Sequence, residues 1–381
     1  MLAVVLGAGR VGSLIARDLA ADSNFEVAVL DQDRVALERL TPHGIEGIIT
    51  DFTDPNCLRE ATGDAAVVVN AVPGHMGYST LRSVIELGHP CVDIAFMPED
   101  SLELDNLARE MGVPVVVDMG VAPGMSNLLA GRGVALMDEA LNLRIYVGGL
   151  PVERSLPWQY TIPFSPVDVL EEYTRPARLV VNRRVVTHPA LSGLEYLEFP
   201  GVGTLEAFNT DGLRTLLTTL DCPNMLERTL RYPGYARKVK LLKDTGFFDT
   251  KPRLVAGQQV RPFDVAAALL FDAWKLEPDA REFTVMRVEV SGVKRGRQAT
   301  VSWDLYDETD FELGATSMAR TTGFPAAIVA RWLVDGTWNL PGITPPEVIG
   351  RDPKLTQLML EELKNRGVTY RFTSRDDSLL K

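Results

Sequence analysis

At 381 residues the chain exceeds one ordinary hydrophobic core and is expected to divide into two or three domains. Its 46% hydrophobic and 24% charged residues are those of a soluble globular protein, and no apolar run approaches the roughly 20 residues that cross a bilayer. The net charge of −12 disfavours nucleic acid or an anionic membrane surface as partner, and the three scattered cysteines, without Cys-x-x-Cys or a nearby His pair, indicate neither a metal site nor a disulfide framework.

Met1 leads into an apolar run, Leu2 to Leu6, without a basic segment or cleavage site, so a cytoplasmic protein is expected. The run meets Gly7-x-Gly9-x-x-Gly12 and then apolar residues at helical spacing, Val11, Leu14, Ile15 and Leu19. This reads as strand, tight turn and helix. Gly7 permits the turn, Gly9 lets backbone amides approach a pyrophosphate, and Gly12 allows close packing of helix on strand, with Arg10 and Val11 inside the same turn. The next run, "FEVAVLDQD", ends in Asp31, placed to accept hydrogen bonds from both adenosine ribose hydroxyls. Its charge opposes a 2′-phosphate and favours NAD over NADP; Arg34 nearby keeps NADP open.

Further apolar runs follow at 44–50, 65–73, 90–95 and 113–120, with helical stretches between most of them. Nearly continuous apolar strands alternating with amphipathic helices indicate a parallel sheet covered on both faces, whose ligands sit beyond the strands' carboxyl ends. The residues there are the candidates: Asp51 and Phe52 for the adenine pocket, Ala71, Val72 and Pro73 along the middle of the dinucleotide, His75, Asp93, and the loop from Asp118 to Gly124. A carboxylate such as Asp93 at the mouth of a buried strand is expensive to desolvate and needs a partner.

Beyond the helix that starts near Gly124 the texture changes to alternating patterns typical of antiparallel strands, such as "EFTVMRVEVSGVKRG" and "RQATVSWDLYDET", which pair as a hairpin through 291–298. Helices are expected at "DGLRTLLTTL", "YARKVKLLKDTG", "PFDVAAALLFDAWKL" and "SMARTTGFPAAIVARWLVDG", the last broken at Thr321-Thr322-Gly323. The expectation is an α/β protein with an N-terminal Rossmann parallel sheet (1–122), an α+β catalytic and dimerisation domain with a mixed, largely antiparallel sheet (123–340), and a C-terminal segment packing back on the first domain (341–381).

The wording of "VNAVPG", "CVDIA", "VAPGMSNLLAGR", "TLEAFNTDGLRTLL", "LRYPGYARKVKLLKDTGFF" and "ARTTGFPAA", together with "GAGRVG" and Asp31, resembles the saccharopine dehydrogenase-like family, and within it the lysine 6-dehydrogenases. The resemblance covers nearly the whole chain. It implies NAD(P)-linked chemistry at a carbon bearing an amine. Where that family's pattern carries a Tyr shortly after the Val-Asp of the fifth strand, this chain has Phe96.

The resemblance implies oxidation of L-lysine at its ε-carbon to an imine that water opens to a semialdehyde. Such chemistry needs a carboxylate to orient the ammonium and a base to accept its proton. Asp93, to orient the ammonium, and His75, to accept its proton, are the catalytic candidates. An amino acid's α-carboxylate calls for a cation, with Arg214 and Lys238 as candidates. The "DMGVAPGMSN" turn is expected to wall the cofactor from the amine, with Asp118 and Val121 on the cofactor and Met125 and Thr322 on the substrate; a pure domain hinge is the competing reading. Alternatives are a saccharopine- or carboxynorspermidine-type reductase and a non-catalytic nucleotide-binding regulator. A homodimer or higher homo-oligomer is expected.

Overall fold

The computed structural model describes residues 1–51, 54–162, 166–277 and 279–375, so Phe52 lies outside the described residues. Two compact units emerge: Met1–Leu136 with Arg214–Leu220 and Met318–Tyr370, and Met137–Leu213 with Asp221–Ser317 and the residues from Arg371.

The first unit holds β1 (Leu2–Leu6), β2 (Glu26–Asp31), β3 (Glu46–Ile49), β4 (Val67–Asn70), β5 (Cys91–Asp93) and β6 (Pro114–Val116), joined by the strand Gly342–Thr344. They form one parallel sheet in the order Gly342–Thr344, β6, β5, β4, β1, β2, β3. Val4, Val5 and Val67 to Val69 are fully buried, as a sheet covered on both faces requires. The helix Arg10–Ala20 buries Leu14, Ile15 and Leu19. The expected α/β class with a Rossmann sheet is the one observed.

One expectation is corrected. The helix Ser317–Asp335 runs unbroken through Thr321, Thr322 and Gly323 and carries Pro325 within it. A Cβ on Gly323 would lie 3.2 Å from Cγ1 of Ile15 and 3.5 Å from Val11. The missing side chain therefore serves close packing on the first helix, not helix breaking.

The second unit is built on β7 (Glu139–Pro151), β8 (Ala177–Val181), β9 (Arg184–His188), β10 (Glu195–Phe199), β11 (Gly203–Asn209), β12 (Asn224–Arg231), the separate pair β13 (Arg253–Val255) and β14 (Gln258–Val260), and the long β15 (Glu282–Lys294) and β16 (Arg297–Glu308). Its large sheet is mixed: β12 runs parallel to β7, while β7 with β15 and β15 with β16 are antiparallel. The turns Asn182-Arg183 and Arg295-Gly296 have positive φ at both residues, the conformation that matches strand twist in two-residue hairpins.

Candidate active site

The first element of the site is the turn after β1. Gly7 has φ 108, and a Cβ there would stand 2.7 Å from the Ala71 carbonyl oxygen; one on Gly12 would stand 2.0 Å from that of Gly7. Around Gly9 nothing lies within 4 Å of where a Cβ would be. The outer two glycines are thus demanded by the protein's own backbone, while the middle one keeps open the space before a helix whose N-terminus has no side-chain cap. Amides at a helix N-terminus without a side-chain cap, beside open space, suit a pyrophosphate. Arg10 is exposed and Val11 half-buried at that helix's first turn.

Asp31 ends β2 with its carboxylate braced by main chain: Oδ2 accepts the Ala8 amide at 2.6 Å and Oδ1 the Asp33 amide at 2.8 Å. The lone pairs that remain suit a ribose diol. Arg34 pairs with Glu38 at 3.0 Å on the surface. Asp51 follows β3, exposed, and accepts from Gln32 at 3.2 Å. After β4, Ala71 backs Gly7, Val72 is buried and Pro73 caps the helix Gly74–Glu86. These residues fit a bound dinucleotide.

Asp93 ends β5 fully buried. Its Oδ1 accepts from Asn70 Nδ2 at 2.6 Å, Asn70 being its register partner at the end of β4. Its Oδ2 has no hydrogen-bond partner among the described residues. Burial first, and the Asp118 carboxylate second, push the Asp93 carboxyl well above the usual carboxylate range; bonds from Asn70 and the Ala95 amide and the charge of Arg214 pull the other way. Without a cation at Oδ2, a neutral acid is the form such a setting favours; a bound cation there favours the carboxylate.

Asp118 and Arg214, 96 residues apart, pair beside it. The guanidinium meets the two Asp118 oxygens at 3.3 and 3.4 Å, donates to the Met97 carbonyl, and lies 5.5 Å over the Phe96 ring. Both residues are buried and both sit at left-handed φ, 52° and 51°, which costs a non-glycine residue on the order of 1 kcal/mol or more. Arg214 is thus engaged by the protein's own carboxylate, and Asp118 by an arginine. A polar run lies nearby: Ser126 bonds Asn127 at 2.9 Å, Asn127 bonds Thr215 at 3.4 Å, and Thr219 bonds Glu347, whose carboxyl burial pushes up.

The glycine-rich loop closes on itself. A Cβ on Gly124, at φ 138, would stand 1.9 Å from the Gly120 carbonyl oxygen, and Thr322 Cγ2 would be 3.1 Å from a Cβ on Gly120. Val121 and Met125 are buried.

In the second unit Arg231, buried at the end of β12, lies 4.5 Å over the Tyr160 ring and reaches Glu172 at 3.0 Å and the Tyr173 hydroxyl at 3.3 Å; its Nε has no hydrogen-bond partner among the described residues. Lys238 donates to the Pro157 carbonyl.

The chain matches the Saccharopine dehydrogenase C-terminal domain over residues 120–368 and the TrkA-N domain over 3–118. The chain belongs to the saccharopine dehydrogenase family. It is similar to the saccharopine dehydrogenase [NADP(+), L-glutamate-forming] of Saccharomyces cerevisiae, 22% identical over 440 residues that cover 96% of this chain and 97% of the yeast protein. The carboxyaminopropylagmatine dehydrogenase of Synechocystis is 20% identical over 380 residues, 93% of this chain and 94% of its own. The fold is shared with the solved apo histidine-tagged saccharopine dehydrogenase (L-Glu forming) from Saccharomyces cerevisiae, with a TM-score of 0.82 at 20% identity over 98% of this chain and all of that one.

In this saccharopine dehydrogenase-family oxidoreductase the structure brings together Asp93, Asp118 and Arg214, and sets Thr322 against Gly120. His75 is exposed on the first turn of its helix. Sequence reasoning missed Asn70, Glu347 and Arg231. Asn70 had a readable signal, a polar residue closing an all-valine strand at the sheet's carboxyl edge; the other two depend on contacts that no local pattern announces.

Proposed function

We propose that the chain is an NAD-dependent dehydrogenase that oxidises the ε-carbon of L-lysine. The observation that carries this reading is the unpartnered, fully buried Oδ2 of Asp93 at the carboxyl end of β5. In open parallel sheets, ligands bind beyond that edge, near the point where strand order reverses; here that point lies between β1 and β4. A desolvated carboxyl is matched in charge by the substrate's ammonium.

The ammonium, with an ordinary pKa of about 10.4, must lose a proton before its carbon can release hydride. Asp93, expected to orient the ammonium, is in this reading also the acceptor in place of the exposed His75. Carboxylate with ammonium and carboxylic acid with free amine carry the same net charge, so moving the proton to Oδ2 creates no new buried charge. Burial that raises the carboxyl's proton affinity favours the pair in which the amine is free. The nitrogen lone pair then closes the C=N bond as hydride leaves. Water adds to the iminium carbon, ammonium departs, and the semialdehyde cyclises. When bound, NAD supplies the hydride acceptor. Asn70 orients Oδ1, Arg214 holds Asp118 in place, and His75 is the candidate for returning the proton to solvent. Asp31 supports NAD over NADP, because a 2′-phosphate would face its carboxylate while Arg34 is paired with Glu38.

The full-length likeness to saccharopine and carboxyaminopropylagmatine dehydrogenases favours a second reading, oxidation or formation of a secondary amine. Both reactions cross an imine. Purified protein given NAD or NADP with L-lysine or saccharopine, followed by formation of reduced cofactor, separates them. Lysine turnover with NAD is expected; turnover of saccharopine alone would assign the second reading, and inertness toward both would refute the two together.

A further inference from the structure

Three neighbouring parallel strands of the first unit each deliver a buried acid to the same edge of its sheet. Asp93 closes β5, Asp118 follows the end of β6, and Glu347 follows the strand Gly342–Thr344, which lies beside β6 and accepts the Val117 amide at the Thr344 carbonyl, 3.2 Å away. Asp118 is answered by Arg214, and Asp93 awaits the amine; Glu347 has no task in that scheme. Its carboxyl is fully buried, and its Oε2 has no hydrogen-bond partner among the described residues.

The other oxygen, Oε1, meets the Thr219 hydroxyl, which also lies 2.8 Å from the Thr215 carbonyl. A threonine hydroxyl has one hydrogen and a carbonyl has none to give. Both contacts are satisfied together when the hydroxyl donates to Thr215 and the carboxyl donates to the hydroxyl. Glu347 is then a neutral acid. Burial raises its proton affinity and the Asp118 charge adds to this, against the bonds from Thr219 and Thr215. In that form Oε2 is an unpaired neutral oxygen, far less costly than an unpaired buried charge.

Both threonines belong to the short segment Arg214–Leu220. Arg351, at the end of the helix Pro346–Gly350, donates to the Thr219 carbonyl at 2.6 Å, and Asn127 donates to the Thr215 hydroxyl at 3.4 Å. The helix that carries Glu347 is seated by its backbone: a Cβ on Gly131 would stand 2.1 Å from the Glu347 carbonyl oxygen, and one on Gly350 1.9 Å from that of Leu128. The carboxyl is therefore not what holds its own helix in place.

We propose that Glu347 is a positioning residue for Asp93: through Thr219 and Thr215 it fastens the segment Arg214–Leu220 and so keeps the guanidinium on Asp118, beside the Asp93 carboxyl. The inference rests on the reading of Asp93 as the acid that takes the amine's proton. Around Asp93 stand Asn70 from β4, the Cys91 thiol on its own strand, Asp118 and Arg214, while the helix Gly74–Glu86 has His75, Arg82 and Glu86 exposed and Tyr78 on Glu103. Toward Glu347 the charge that bears on it is that of Asp118; Arg132, on the helix Met125–Leu136, faces Asp352. Withdrawing Arg214 takes a cation from two coupled acids and raises the pH at which the pair ionises.

Two measurements on the free protein test this without a substrate. Hydrogen exchange followed by mass spectrometry reads the amides of 214–220, and an infrared pH titration reads the acid carbonyl band that Asp93→Asn removes. In Glu347→Ala the segment is expected to exchange about tenfold faster, and the upper midpoint of the Asp93–Asp118 pair to rise by about one pH unit. Glu347→Gln, whose amide still donates to Thr219, should match the wild type in both. Should Glu347→Ala not fold, Thr219→Val removes the same link and should give the same two changes. Faster exchange with the midpoint unmoved would reduce Glu347 to a structural role and overturn the proposal, as would unchanged exchange or a Gln variant that behaves like Ala. Because neither measurement involves an amine, a protein that fails to oxidise lysine refutes the proposed reaction and leaves these outcomes separately readable.

Discussion

Buried acids shape how this protein responds to pH, and two of them, Glu227 and Asp93, belong to different units. Glu227 on β12 accepts from Thr210 at 2.6 Å and from the Gly212 amide at 3.1 Å, yet burial, with Glu172 and Asp211 adding to it, pushes its carboxyl up to about 8. Between the ordinary carboxylate range near 4.5 and that value the unfolded chain gives up its proton while the folded chain keeps it, so stability falls as pH rises and levels off above 8. At roughly 1.4 kcal/mol per pH unit the loss is on the order of 3–5 kcal/mol. Glu227→Gln removes the titrating group and should gain on the wild type between pH 5 and pH 8 in paired thermal melts. A stability difference that does not change with pH would contradict the account. Asp93 is raised in the same direction, but its unpartnered Oδ2 marks it as the acid kept for chemistry, whereas Glu227 is engaged by its neighbours.

Among the elements, the β1 turn separates folding from binding within one short motif. Gly12→Ala drives a Cβ to 2.0 Å from a backbone oxygen and is expected to lower stability by about 2 kcal/mol or more, with dinucleotide binding lost alongside. Gly9→Ala meets nothing within 4 Å, so its melting temperature should stay within a degree or two of wild type while dinucleotide affinity falls at least tenfold, read by titration. Equal stability losses in both variants would refute the assigned division of tasks. The second glycine-rich turn obeys another logic. Gly124 is required by Gly120 in the same loop, so the two turns share composition without sharing a ligand geometry.

At the scale of the whole chain, distant segments are tied into the first unit by ions as well as by its sheet. Asp18, on the first helix, receives Arg331 at 2.6 Å and Arg366 at 2.8 Å, groups more than three hundred residues away in sequence. With side chains only 12–18% exposed, removing the shared carboxylate leaves Arg331 with Asp22 at 3.6 Å and Arg366 with Glu362 at 2.7 Å and takes a close charged partner from each. Asp18→Ala should cost on the order of 2–3 kcal/mol by chemical denaturation; a loss below 0.5 kcal/mol would reduce the cluster to surface decoration. The Rossmann sheet was legible because its signals are local: glycine spacing, all-valine strands, and an acid at a fixed distance. So was the strand-end position of Asp93. The return of Arg214–Leu220 to the first unit was not, since a segment that short has no periodicity of its own. For the same reason Arg214 read as a free cation for substrate, when its partner Asp118 is 96 residues upstream. Thr321 to Gly323 read as a helix break because glycine's packing role appears only when Val11 and Ile15 are seen beside it.

The central claim is that the buried Asp93 carboxyl takes the proton of the substrate amine. Its most direct test is kcat/KM for L-lysine oxidation with NAD in Asp93→Asn against wild type, with NAD affinity measured on both proteins. The account predicts a fall of about 10²-fold or more with NAD affinity unchanged. Lysine turnover undiminished in a folded Asp93→Asn protein would contradict it.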